Sequence, residues 1–133
     1  MESLLQVLKR KSMLEEQFPI LRSGFDDLDS SPAILRRRTV SLLGARPGMG
    51  RSTLAAQIAA NVAEAGGRVG WFSTVRTNSE VVDKILRVKP ALLYPQSIAL
   101  EDRIGDVREL RFAIIKSGKQ FDLVDIDDLQ GMY

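Results

Sequence analysis

Gly44-Ala45-Arg46-Pro47-Gly48-Met49-Gly50-Arg51-Ser52-Thr53 separates two runs of different grammar. Before it, Thr39-Val40-Ser41-Leu42-Leu43 is short, β-branched and apolar, which predicts a strand. After it, Leu54, Ala55, Ala56, Ile58, Ala59, Ala60, Val62 and Ala63 predict a helix that is apolar on nearly every side and ends at Gly66-Gly67. In the order strand, glycine-rich turn, helix, the turn is suited to hold an anion. Its glycines let backbone N–H groups converge on phosphate oxygens, and the helix contributes its positive N-terminal end. A basic side chain reaches the outer phosphates, and a Ser or Thr hydroxyl binds Mg²⁺. Against the pattern G-x-x-x-x-G-K-[ST], the match is Ala45, four residues, Gly50, Arg51 and Ser52, with Ala45 and Arg51 as the two departures. The candidate nucleotide-binding residues are therefore Arg46, Pro47, Gly48, Met49, Gly50, Arg51, Ser52 and Thr53. The plain alternative is a Gly-Pro turn between strand and helix.

A phosphate loop of this kind works with an acid at the end of a second apolar strand, which holds Mg²⁺ through water. Phe121-Asp122-Leu123-Val124-Asp125-Ile126-Asp127 fits that description, with Asp127 the first candidate and Asp128 the next. Ser52 and Asp127 are thus the expected metal-holding pair; the plain alternative for Asp127 is a strand-end acid in solvent. Between the two halves, Val69, Trp71 and Phe72 predict a strand over 68–74. Thr77 and Glu80 have capping-box spacing and open a helix carrying Val81, Val82, Ile85 and Leu86, which stops near Pro90. A short strand is expected at 91–94, and Ile104, Val107, Leu110 and Ile114 share one helical face up to Gly118. Strands alternating with helices imply an α/β fold with a mainly parallel sheet, here of the P-loop NTPase kind.

At the other end, Leu4, Val7, Leu8 and Leu14 lie at near-helical spacing among charges, predicting an amphipathic helix over 2–17 that stops at Phe18-Pro19. Residues 19–35 are rich in turn and cap formers and are read as a connector with at most one short helix. The expected organisation is a linker-like helix at 1–18 and a P-loop domain at 19–133. The 133 residues include no cysteine and no histidine, which excludes a disulfide framework, a zinc finger and any Cys- or His-dependent catalytic system. Nineteen Lys and Arg against seventeen Asp and Glu leave a net charge of +2, and aromatics are 6% of the chain, so a DNA-stacking basic groove finds little support. No apolar run approaches the ~18 residues of a membrane span, and a soluble cytoplasmic protein is the default expectation.

Gly24-Phe25-Asp26-Asp27-Leu28-Asp29, then Ala45 to Gly50, then Phe72-Ser73, then Ile126-Asp127-Asp128-Leu129-Gln130-Gly131-Met132 resemble, in order, the RecA-like motor domain of DnaB-type replicative DNA helicases. That family's phosphate loop begins Ala-Arg-Pro, so the resemblance turns Ala45 into a match. It implies a three-layer RecA-like sandwich, ATP or ADP with Mg²⁺ as ligand, and a role in DNA replication. It also implies self-association or association with a DnaB-type helicase through the N-terminal helix. Two positions depart from a working motor. Arg51 stands where the family has lysine, and its planar guanidinium keeps the charge without placing a compact ammonium between phosphates. Val75 occupies the position of the family's catalytic glutamate, and Glu80 is better read as a helix cap, so no catalytic residue is assigned. Arg76 and the Arg36-Arg37-Arg38 cluster are read as surface arginines, with phosphate contact as the alternative.

The family's further core strands, DNA loops and arginine finger would follow Asp127, and the expectation is a shortened motor domain with one strand missing between the loop strand and the acid strand. Those two strands would then pair directly or be completed by another chain. Three functions follow from the resemblance: a nucleotide- or phosphate-binding domain impaired in hydrolysis with an accessory role in replication; part of an active ATP-dependent helicase completed by a longer chain or partner; or an interaction protein that joins a helicase ring without binding nucleotide.

Overall fold

A computed structural model describes residues 1–17, 21–31, 35–118 and 120–128; the Phe18-Pro19 stop and the end of the family-like run at 129–132 lie outside them. The chain forms two units, 1–42 and 43–133.

In the first unit, helix α1 (Leu4–Gln17) begins on a reciprocal cap. The Ser3 amide donates to Gln6 Oε1 at 2.8 Å, and the Gln6 amide donates to Ser3 Oγ at 3.2 Å. Leu4, Leu5, Leu8 and Met13 of this helix are exposed. Among its described residues the connector holds one short helix, α2 (Asp26–Asp29), inside the Gly24–Asp29 run. Its last carboxylate folds back, accepting from the Ser23 amide at 2.8 Å, the Ser23 hydroxyl at 2.7 Å and the Gly24 amide at 3.2 Å. Desolvation pulls the Asp29 carboxyl upward, but the donors of Ser23 and Gly24 outweigh it and hold the group below its ordinary value.

The second unit is an α/β layer structure. Helix α3 (Arg51–Glu64) leads to strand β1 (Val69–Ser73), then α4 (Asn78–Val88), β2 (Ile98–Glu101), α5 (Val107–Lys116) and β3 (Leu123–Asp127). The sheet is parallel throughout, in the order β2-β1-β3, with Val69 opposite Ile98 on one side and opposite Leu123 on the other. Every residue of the central strand β1 is buried, as its apolar run anticipates for a strand covered on both faces. On one face, Phe72 packs with Ile104 and Leu110, joined by Ala113, Ile114, Phe121 and Ile126. The other face carries Trp71 and Ser73, linked by an indole Nε1 to Oγ hydrogen bond of 3.0 Å, on the side taken by α3. Ala56, Ala59, Ala60 and Ala63 of α3 are wholly buried; their small side chains let the helix lie close to the sheet and to α4. The chain leaves α3 abruptly. A Cβ on Gly67 would sit 2.6 Å from Val62 Cγ1, so only glycine permits this tight return into β1.

Two expected strands are absent. Residues 39–43 form neither strand nor helix, and Val40 and Leu42 are almost fully exposed, at 99% and 82%. Thus the loop strand does not pair with the acid strand: β3 pairs with β1, and its other edge has no partner among the described residues. The physical reason is that β-branched composition favours a strand only where a neighbour completes the ladder. The strand expected at 91–94 is likewise not formed; Pro95 opens a 3-10 turn (Pro95–Ser97), and the strand that follows, β2, pairs with β1.

Candidate phosphate site

The turn before α3 is open. Residues 44–50 are exposed, Gly48 and Gly50 are left-handed at φ 78° and 85°, and no atom lies within 4 Å of where a Cβ would stand on either. The Met49 amide closes a turn on the Arg46 carbonyl at 3.2 Å. Gly50 serves as the N-cap of α3 without a capping side chain, so the amides of the first turn are left to an outside acceptor. Left-handed glycines next to an uncapped helix start are the geometry of an anion nest. Arg46, Pro47, Met49 and Thr53 lie on the exposed rim of this turn.

Folding brings the expected metal-holding pair together. Ser52 and Asp127, separated by 75 residues, are both buried, and the Ser52 hydroxyl donates to Asp127 Oδ1 at 3.2 Å. The placement follows from the layer order: Ser52 lies in the first turn of α3, and Asp127 ends β3 on the face that α3 covers. Thr74, just past β1, ties down the end of β3, its hydroxyl donating to the Asp128 carbonyl at 2.7 Å.

Arg51, in the lysine position, reaches toward the acid strand, with Nη2 3.9 Å from Asp128 Oδ1. That oxygen is buried and finds no hydrogen-bond partner among the described residues, and Asp128 itself is left-handed at φ 73°. Val75 is exposed and brings no base. Glu80 is committed elsewhere, as its spacing anticipates: Oε2 accepts from the Thr77 amide at 2.8 Å while Thr77 Oγ1 caps the Glu80 amide. These Thr77 donors hold the Glu80 carboxyl below its ordinary value, unsuited to take a proton from water.

Sequence reasoning undervalued two groups. Arg76, read as a surface arginine, places Nε 3.5 Å from Asp127 Oδ2. Asp125, two residues before Asp127 and so on the same strand face, is pushed up to about 7 by burial and then by repulsion from Asp127. The two-residue spacing was the available signal for Asp125; no local signal announced the Arg76 pair.

With this geometry in place, comparison with known proteins is informative. The model of the DnaB-like helicase C terminal domain matches residues 21–102, more than half of the sequence. The chain belongs to that family. A curated relative, a probable plasmid replicative DNA helicase of Chlamydia muridarum (strain MoPn / Nigg), is 31% identical over 88 residues, which are 62% of this chain and 20% of the relative. The chain therefore spans about a fifth of the length of the helicase it matches. The parallel sheet with α3 and α5 against opposite faces is that of an incomplete RecA-like P-loop fold. Among the described residues no helix is long and apolar enough to cross a membrane.

Proposed function

We propose that this DnaB-like domain binds the phosphates of a nucleotide, fails to turn ATP over by itself, and serves DNA replication by associating with a DnaB-type helicase or with further copies of itself. The observation that carries the binding half is the Ser52–Asp127 hydrogen bond, which sets the acid strand against an open, uncapped glycine turn. The hydrolytic half fails for want of groups. Arg51 replaces the compact ammonium, Val75 brings no base, and Glu80 is held in a cap. The exposed Leu4, Leu5 and Leu8, which share one side of α1, support association, because an apolar stripe in water favours a partner.

The test is an ATPase assay with and without single-stranded DNA. Turnover at least about 10²-fold below an enzyme rate of about 1–10³ s⁻¹ is expected, this being the contribution of a positioned base alone. Turnover within that range, abolished by Arg51→Ala, would contradict impairment.

The extent of the relative favours a second reading, since the matched helicase is about five times as long as the matched segment. In that reading the domain is part of an active ATP-dependent helicase completed by further chain or by a partner. DNA-stimulated ATPase in a copurified complex, with none in the isolated chain, would select it.

A further inference from the structure

A divalent cation in a P-loop site needs the Ser hydroxyl and an acid with lone pairs to spare for the cation's water shell. Here Asp127 Oδ1 accepts from Ser52 at 3.2 Å and keeps a lone pair, but Oδ2 faces the Arg76 guanidinium, with Nε at 3.5 Å, on the side where a cation would approach it. Asp127 is only 7% exposed, so the Arg76 charge acts on it through poorly screening surroundings and would repel a metal ion placed alongside. Arg51 faces Asp128 at 3.9 Å and Arg76 faces Asp127 at 3.5 Å, so each of the two acids at the end of β3 has a guanidinium beside it. The residues present do not fit a Mg²⁺ ion in the way the family's ligand set implies.

We infer that Arg76 stands in for the divalent cation on Asp127, so that the loop takes the phosphates of a nucleoside diphosphate without a metal. The inference rests on the phosphate-binding reading above and deepens it. Arg76 is 43% exposed, and with Nε turned to Asp127 its Nη edge retains donors in the fork geometry that matches phosphate oxygens. One Asp127 carboxylate separates it from Ser52 in the first turn of α3. The same guanidinium thus neutralises the acid and adds positive charge beside the anion nest.

The experiment is a fluorescence titration with N-methylanthraniloyl-ADP, in excess Mg²⁺ and in EDTA, on the full chain and on Arg76→Met and Arg76→Lys, each checked for fold by far-ultraviolet circular dichroism. Wild-type affinity within about twofold in the two buffers is expected. Arg76→Met should lose about tenfold or more in EDTA, the size of a lost charged hydrogen bond, and regain part of it with Mg²⁺. Arg76→Lys should keep metal-free binding. Wild-type affinity that rises about tenfold or more with Mg²⁺ would overturn the inference while leaving phosphate binding intact, and this comparison needs no variant to fold. Unchanged metal-free binding by Arg76→Met would overturn it as well. Absence of binding in both buffers would remove the phosphate-binding reading and this inference with it.

Discussion

Trp71→Ala is expected to destabilise the second unit by about 3–5 kcal/mol, a large part of the roughly 5–15 kcal/mol that holds a small domain folded. Trp71 is 1% exposed at the middle of the central strand, opposite Leu100 on one neighbour and Asp125 on the other. Its removal opens a cavity under α3 and leaves Ser73 Oγ without the indole donor that now meets it at 3.0 Å. The surrounding alanines of α3 are too short to fill the space. Urea unfolding followed by circular dichroism measures the change; a midpoint shifted by less than about 0.5 M would mean that this face is packed otherwise.

Asp125 provides the second large effect, through pH. Its folded-state value is raised to about 7 from an ordinary 3.8, so the folded chain keeps a proton that the unfolded chain gives up. The sign follows from proton linkage: the stability tied to this proton is fully present below the ordinary value and is lost as pH rises through about 7. Between pH 5 and 8 the domain should lose on the order of 2–3 kcal/mol from this group, about two pH units of linkage at roughly 1.4 kcal/mol each. Asp125→Asn keeps the shape, removes the charge and should flatten the profile, adding similar stability at pH 8. The single tryptophan, Trp71, is buried and reports unfolding by its emission. A wild-type urea midpoint independent of pH over this range, or an Asn variant that follows the same profile, would contradict the buried, proton-holding Asp125.

What could be read from the sequence divides along physical lines. The Thr77–Glu80 box and the alanine-rich face of α3 were legible because they depend on residues a few positions apart. The Ser52–Asp127 meeting was legible for another reason: a loop motif and an acid-ended strand imply each other in a parallel α/β layer. Strand formation at 39–43 was not legible, since it depends on a ladder partner that local composition does not reveal. The same applies to β2, where Leu92-Leu93-Tyr94 has the stronger strand composition but Ile98–Glu101 pairs with β1. The Arg76–Asp127 pair depends on two strand ends becoming neighbours, a fact of topology that no spacing in the chain encodes.

In the proposed reading, Arg51 and Arg76 keep positive charge around a phosphate, while Val75 leaves the site without the base that would drive hydrolysis. The most direct measurement of the central claim is amide mapping by heteronuclear NMR on the labelled chain during titration with ADP. The amides of Gly48, Met49, Gly50, Arg51, Ser52 and Thr53 are predicted to shift together and to saturate with one binding constant. Resonances there that stay fixed at millimolar ADP, or that move only after others elsewhere, would contradict an anion held by this turn.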